Sequence, residues 1–249
     1  MESLRACTLT LAGLDPSGGA GLLADIKTFE AHKVYGLSVC TALTVQTDQR
    51  FLSAEWTSVA QIKAQVTPLL ERFPVQVCKI GIMPGVSALL EIIEHLQQLT
   101  PDIRIVLDPV LKASAGYTFH QEIEQQTWQQ VLENIYLLTP NYHEALLLSG
   151  ETNGATAAEK LSRHCAVLMK GGHHPDKNGW DTLYANGSQQ DIPPITPAVY
   201  PKHGSGCVLS AAITAQLALG QPLFEACVQG KAYTEKFLSS HSSLIGYHS

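Results

Sequence analysis

The chain has 249 residues, of which 16 are Lys or Arg and 22 are Asp or Glu, so that the net charge is −6, and 45% of the residues are hydrophobic. A chain this apolar and this weakly charged is expected to fold around a sizeable core and not to remain disordered. The negative charge, without any run of Lys and Arg, excludes a surface built to bind nucleic acid.

Short apolar runs alternate along the chain with longer amphipathic segments, which is typical of βαβ units around a mostly parallel sheet. The runs predict strands at Thr8–Ala12, Ser38–Leu43, Val77–Gly81, Arg104–Leu107, Ile135–Leu138 and Ala166–Met169. The amphipathic segments predict helices at Gly21–Lys33, Ser58–Phe73, Val86–Leu99, Glu122–Leu132, His143–Ser149 and Ala155–His164. The sequence therefore predicts an α/β fold.

The last third of the chain has a different pattern. The turn pair Asn186-Gly187 predicts a hairpin between Thr182–Ala185 and Gln189–Ile192. Two helices are then predicted at Ser205–Leu219 and Leu223–Ser240. Because the sequence shows neither repeats nor a linker, we expect residues 1–249 to form one domain.

The sequence also bears on the compartment. The most apolar segment, Val208–Leu219, is interrupted by polar residues and is shorter than the roughly 18 residues that a membrane span needs, so no membrane anchor is predicted. The N-terminus lacks the layout of a signal peptide, and the six cysteines are scattered without a C-x-x-C pair. These features predict reduced thiols in a cytoplasmic protein.

A glycine-rich segment, Ala12–Gly21, follows the first predicted strand and opens the first predicted helix. Such a loop lets the backbone approach a ligand and direct N–H groups at an anion. It is not a Walker A loop, because Gly19 and Ala20 stand where Lys and Ser/Thr are required. Taken alone, it is equally compatible with a structural tight turn.

A second small-residue segment, His203-Gly204-Ser205-Gly206-Cys207, immediately precedes an apolar helix. The amides of Gly204, Ser205 and Gly206, together with the helix dipole, predict a site for an oxyanion or phosphate. A thiol in the first helical turn is expected to have its thiolate favoured, which suits Cys207 to general-base or nucleophilic chemistry. The alternative is a small-residue helix start with a packed cysteine.

Polar residues follow three predicted strands: Asp108 ends one, Asn141 and Glu144 follow the next, and Lys170 follows a third. Ligands of open α/β sheets bind beyond the carboxyl ends of the strands, where these side chains are expected to meet. Asp108 and Glu144 are candidate Mg²⁺ ligands, and Lys170 and Asn141 are candidate nucleotide contacts. Each also has a structural alternative as a turn, a helix cap or a solvated strand end.

Several segments together resemble one family, the hydroxymethylpyrimidine/phosphomethylpyrimidine kinases of thiamine biosynthesis, in the ribokinase-like superfamily. They occur in the family's order and spacing across nearly the whole chain. The matching segments are Ala12–Thr28, Tyr35–Thr47, Lys79–Met83, Leu107–Val110, Thr139–Ala145, Leu168–His173 and His203–Ala212.

The resemblance implies a ribokinase-like three-layer α/β/α sandwich, commonly a homodimer. It implies ATP- and Mg²⁺-dependent phosphorylation of a pyrimidine hydroxymethyl group and then of the monophosphate. It places Asp25, Gln46, Ile82 and Gly13 at the small pyrimidine substrate and makes Cys207 the proposed base. Gln46 suits this role because its amide can both donate and accept hydrogen bonds.

The chain also departs from the family's usual sequence. Leu14, Leu23, Ile82 and Lys202 replace residues usual there, and the segment Lys112–Tyr117 lacks a customary acidic residue. Two alternatives therefore stay open: a pyridoxal/pyridoxine kinase of the same fold, and a relative that binds the pyrimidine without turnover.

Overall fold

The strands of the protein join into one continuous sheet. In the computed structural model, which describes residues 5–111, 124–173, 179–196 and 198–249, this sheet contains nine strands in the order β3-β2-β1-β4-β5-β6-β7-β8-β9. The strands are β1 (Cys7–Leu14), β2 (Tyr35–Gln46), β3 (Phe51–Trp56), β4 (Val77–Ile80), β5 (Arg104–Leu107), β6 (Leu137–Leu138), β7 (Ala166–Met169), β8 (Asp181–Ala185) and β9 (Ser188–Ile192).

The central part of the sheet is parallel, and both of its ends are antiparallel. Strands β2, β1, β4, β5, β6 and β7 run in one direction, whereas β3 pairs antiparallel with β2, β8 with β7 and β9 with β8. The carboxyl ends of six neighbouring strands consequently meet at one edge.

Helices cover both faces of the sheet. They are α1 (Gly21–Ala31), α2 (Val59–Arg72), α3 (Val86–Leu99), α4 (Gln125–Glu133), α5 (Tyr142–Ser149), α6 (Gly154–Leu161), α7 (Ser205–Ala218) and α8 (Leu223–Ser239). Helices α2 to α6 share one apolar core with the sheet, and α1, α7 and α8 pack on the opposite face. This arrangement confirms the predicted three-layer α/β/α fold.

Helix α7 occupies the centre of its layer. Every residue from Val208 to Leu217 is buried, so this part of the helix is covered on all sides and has no solvent-facing stripe. Its polar N-terminal turn lies at the carboxyl edge of the sheet, where Ser210 comes within 3.3 Å of Asp108 at the end of β5. Among the residues that the structure describes, no helix has both the length and the apolar character that crossing a membrane requires.

The largest difference from the predicted elements lies at β2 and β3. The sequence predicts a strand only over Ser38–Leu43, whereas β2 extends to Gln46 and turns into β3, which was not predicted. The reason is that β3 has β2 as its one strand partner and exposes much of its surface, so it lacks the apolar pattern of a buried strand. The other predicted elements are confirmed with shifted ends, except that residues 122–123 of one predicted helix lie outside the described residues.

Candidate active site

The loop after β1 is organised by the buried carboxylate of Asp15. Its Oδ1 accepts the N–H of Ser17 at 2.9 Å, and its Oδ2 accepts the N–H groups of Gly19 at 3.1 Å and Ala20 at 2.9 Å. The N–H of Gly18 is bonded to the Asp15 carbonyl at 3.0 Å. Because Asp15 already accepts hydrogen bonds from these amides, the structure favours the second alternative, a structural tight turn.

The same carboxylate connects this loop to the second glycine-rich segment. The Nε2 of His203 lies 2.9 Å from Asp15 Oδ2. Burial alone would raise the pKa of Asp15, but hydrogen bonds from His203, Ser17 and the loop amides outweigh it and hold the pKa at about 2. Gly204 has φ of +76°, and a Cβ there would come 2.1 Å from the carbonyl oxygen of Gly19. Only glycine allows the two turns to approach so closely.

The residue at the N-cap position of α7 is Gly204, which has no side chain to cap the helix. Within the part of the chain that the structure describes, the first amides of this helix accordingly have no side-chain cap. Unpaired amides and the helix dipole create positive potential at this end of the helix. The turn formed by Gly204, Ser205 and Gly206 is thus suited to an anion, as the sequence predicts.

Cys207 is half-buried in this turn, and the N–H of Gly21 lies near its sulfur and acts to lower the pKa of the thiol. Burial raises the pKa of the thiol to about 11, although the Lys79 ammonium opposes the rise. The carboxylates of Asp108 and Asp25 raise it further. The expectation of a favoured thiolate is therefore wrong: loss of water and two nearby carboxylates outweigh the helix N-terminus, and Cys207 is a thiol at neutral pH.

Asp108, Lys170 and Glu144 form a charged cluster beside the first turn of α7. The Nζ of Lys170 lies 3.0 Å from Asp108 Oδ1 and 3.9 Å from Glu144 Oε2. A Cβ on Gly206 would lie 3.3 Å from that Nζ and 3.6 Å from Asp108 Oδ2. Lys170, which was predicted to contact phosphates, and the two predicted metal ligands thus lie next to the predicted anion site.

Burial and charge act in opposite directions within this cluster. Burial would lower the pKa of Lys170, but Asp108 and Glu144 raise it well above its usual value, so the ammonium is retained. Burial raises the pKa of Glu144, and the nearby Lys170 limits the rise. Glu144 and Asn141 also form a capping box: the Glu144 N–H donates to Asn141 Oδ1 at 2.9 Å, and the Asn141 N–H donates to Glu144 Oε2 at 2.8 Å.

Three of the predicted pyrimidine contacts lie close together beside Gly21. They are Gly13, Ile82 and Gln46, and Thr44 lies among them. A Cβ on Gly13 would lie 2.4 Å from Ile82 Cδ1 and 3.6 Å from Thr44 Cγ2. Gln46 donates a hydrogen bond from Nε2 to Thr44 Oγ1 at 2.8 Å. Since Gly21 touches Gly13 on one side and Cys207 on the other, this group adjoins the first turn of α7.

Asp25, the fourth predicted substrate contact, is fully buried and already paired. Its Oδ1 lies 2.5 Å from Lys79 Nζ, and its Oδ2 accepts the hydroxyl proton of Thr10 at 2.6 Å. Both Asp25 and Lys79 have 0% of their side-chain surface exposed. In this structure Asp25 is the partner of a buried lysine, and its predicted contact with the pyrimidine stays a prediction.

Several residues that shape this site had no role predicted from the sequence: Lys79, Thr44, Asp15, His203 and Ser210. Lys79 had a visible signal, because it is a charged residue within an apolar run that was predicted as a buried strand. The other four are common polar residues of strands, turns and helix starts, and each also has a partner remote in sequence. The segment Lys112–Tyr117, with its missing acidic residue, lies outside the described residues.

Fold and site together define a class. A three-layer α/β/α protein with an uncapped helix N-terminus, a lysine and two carboxylates at the carboxyl edge of its sheet has the groups that a small-molecule phosphotransferase uses. The sequence model of the phosphomethylpyrimidine kinase family matches residues 15–248. The chain belongs to the hydroxymethylpyrimidine/phosphomethylpyrimidine kinase family, which confirms the resemblance found in the sequence.

Similar proteins support this assignment along the whole chain. The hydroxymethylpyrimidine/phosphomethylpyrimidine kinase of Rhizobium meliloti is 34% identical over 97% of this chain and 93% of its own length. The crystal structure of the Clostridium difficile phosphomethylpyrimidine kinase is 33% identical, with a TM-score of 0.77 over 92% of this chain and 98% of its own. An ADP complex of Bacillus subtilis pyridoxal kinase is 27% identical, with a TM-score of 0.81 over 95% and 92% of the two chains.

Proposed function

We propose that this kinase transfers the γ-phosphoryl group of ATP to the hydroxymethyl group of 4-amino-5-hydroxymethyl-2-methylpyrimidine and then to the resulting monophosphate, in thiamine biosynthesis. The observation that carries the proposal is the position of the first turn of α7. On one side it adjoins Lys170 and Asp108, and on the other side Gly21 connects it to the group that contains Gln46.

In the proposed reaction, the oxygen of the hydroxymethyl group forms a bond to the γ-phosphorus while the bond to the β,γ-bridging oxygen breaks. The amides of Ser205 and Gly206 stabilise charge on the transferring group, and Lys170 offsets charge on the leaving phosphates. The hydroxyl proton passes to the sulfur of Cys207 in its ionised form, which is a minor form at neutral pH because the thiol pKa is about 11.

We further propose that Asp108 and Glu144 bind Mg²⁺ together with the nucleotide. Carboxylate oxygens are the ligands that Mg²⁺ prefers, and it usually takes one or two of them, with phosphates and water completing its coordination. That pattern fits this site, where the carboxylates of Asp108 and Glu144 both lie within 4 Å of Lys170 Nζ. When bound, the ion neutralises charge on the β- and γ-phosphates.

Replacement of Gln46 tests the proposed substrate contact. Leaving a polar edge of the pyrimidine unpaired costs about 1–3 kcal/mol, so Gln46→Leu should raise the KM for the pyrimidine roughly ten- to a hundredfold and leave the KM for ATP unchanged. Gln49→Leu, an exposed change in the turn between β2 and β3, is the matched control. Equal effects of Gln46→Leu on both KM values would contradict the assignment.

A second candidate substrate is pyridoxal, because the structure of the Bacillus subtilis pyridoxal kinase superposes on this chain with a TM-score of 0.81. Its ring also carries a hydroxymethyl group. Steady-state assays of the purified protein with each acceptor decide between them: a kcat/KM for pyridoxal above that for the pyrimidine would replace our substrate proposal. Pyrimidine binding without turnover would instead make the chain a non-catalytic relative.

The assembly proposed for the enzyme is a cytoplasmic homodimer in which residues 1–249 act as one domain. Two apolar residues of β2 support the dimer, since Leu43 and Val45 are about half exposed, at 52% and 53%. A second copy would bury these apolar side chains. Sedimentation velocity of the protein and of Val45→Lys tests this: a monomer in both cases would reject it.

A further inference from the structure

The hydroxyl group of Thr44 has two hydrogen-bond partners of different kinds. Thr44 lies in β2 two residues before Gln46 and is 8% exposed. Its Oγ1 lies 2.7 Å from the carbonyl oxygen of Leu14 and 2.8 Å from Nε2 of Gln46. The hydroxyl therefore connects the end of β1 to the side chain of Gln46, which in our proposal binds the pyrimidine.

These two contacts determine which way round the Gln46 amide lies. A carbonyl oxygen can only accept, so Thr44 must donate its one hydroxyl proton to Leu14. Its oxygen can then only accept from Gln46, which requires the NH₂ end of the amide to face Thr44. With the amide reversed, two oxygens would meet with no proton between them.

When the amide of Gln46 is held in this orientation, one acceptor and one donor of the side chain stay available to a ligand. One N–H of Gln46 is used by Thr44, and within the described residues Oε1 and the other N–H have no hydrogen-bond partner. An aminopyrimidine edge presents a donor, the exocyclic NH₂, beside an acceptor, the ring nitrogen. The free Oε1 and N–H of Gln46 complement that order.

We propose that Thr44 is a positioning residue that makes the enzyme select an aminopyrimidine, by holding the amide of Gln46 in one of its two orientations. This inference rests on the proposed contact between Gln46 and the pyrimidine. A ring with the reversed pattern, an oxygen in place of the amino group and a proton on the adjacent ring nitrogen, meets donor against donor and acceptor against acceptor. Such mismatches are the basis of strong rejection in polar sites.

The test compares 4-amino-5-hydroxymethyl-2-methylpyrimidine with its 4-oxo analogue. The measured quantity is the ratio of kcat/KM for the two rings, which does not depend on the active fraction of a preparation. Thr44→Val removes the hydroxyl but keeps the side-chain shape, so the amide becomes free to reverse. The ratio should fall about tenfold or more, the size expected for one misplaced hydrogen bond in a pocket. Thr44→Ser keeps the hydroxyl and should retain the ratio.

Thr8→Val is the matched control. Thr8 is a buried threonine in β1 whose hydroxyl also donates to a carbonyl, that of Val77, at 2.7 Å. It makes no contact with Gln46, so its variant should keep the wild-type ratio even if stability falls.

The outcomes separate the inference from the function on which it rests. If Gln46→Leu raises the pyrimidine KM while Thr44→Val leaves the ratio unchanged, the role of Thr44 is wrong and the contact of Gln46 stands. If Gln46→Leu has no effect on the pyrimidine KM, both are wrong. A reduced ratio in Thr44→Val that Thr44→Ser restores supports the inference.

Discussion

The raised pKa of Cys207 predicts how a Cys207→Ser variant should respond to pH. With a pKa of about 11, roughly one thousandth of the enzyme carries the thiolate at pH 8 and roughly one tenth at pH 10. General-base help by an ionised group is typically worth about 10²–10⁴-fold. A serine at this position cannot supply it in this pH range.

These values determine the expected ratio of wild-type to variant kcat/KM. At pH 8 this ratio should lie between about one and about ten, because little of the thiol is ionised. At pH 10 the advantage should lie between about ten- and a thousandfold. The sign follows from the pKa: the thiolate fraction rises with pH until the pH passes the raised pKa.

Single-turnover assays with excess enzyme from pH 7 to 10 measure this ratio without interference from product release. Cys40→Ser is the control, because Cys40 is a cysteine of β2 that our mechanism does not use. Circular dichroism at each pH verifies that the fold is intact. A ratio that stays constant from pH 7 to 10 would refute thiolate catalysis by Cys207 and leave the amides of α7 as the main catalytic element.

Two further predictions concern the charged residues of the site. Lys79→Met should lower the free energy of unfolding by about 3–5 kcal/mol, because Asp25 would be left as an unpaired buried carboxylate. Urea denaturation should show that adding Asp25→Asn recovers part of this loss, and an equally unstable double variant would contradict the buried pair. Glu144→Gln should raise the Mg²⁺ concentration for half-maximal rate more than it raises the pyrimidine KM. An unchanged Mg²⁺ requirement would remove Glu144 from the proposed metal site.

The fold was predictable because its signals are local. Each buried parallel strand is a short apolar run, and several helices carry a cap in their own sequence, as the capping box of Asn141 and Glu144 illustrates. The strand β3 was missed for the complementary reason. Its residues Phe51–Trp56 make no buried strand of their own and depend on pairing with β2.

The approach of Asp108 and Lys170 could be predicted from the sequence, but the electrostatics of the site could not. Both residues directly follow predicted strands, and ligands of open α/β sheets bind beyond the carboxyl ends of the strands, where such residues meet. The state of the Cys207 thiol depends on Asp25, Lys79 and Asp108, which approach it from three other elements. A rule about one helix turn cannot include charges that only the folded chain brings near.

The balance of charge around the first turn of α7 gives a physical reason for the proposed metal requirement. Among the described residues of this region, three buried acids, Asp25, Asp108 and Glu144, face two lysines, Lys79 and Lys170. The helix dipole adds only about half a positive charge. The negative charge of a nucleoside triphosphate bound without a metal would therefore not be balanced by the charged groups of this site. Binding of Mg²⁺ at Asp108 and Glu144 would free Lys170 from both carboxylates, which leaves that ammonium available to the phosphates.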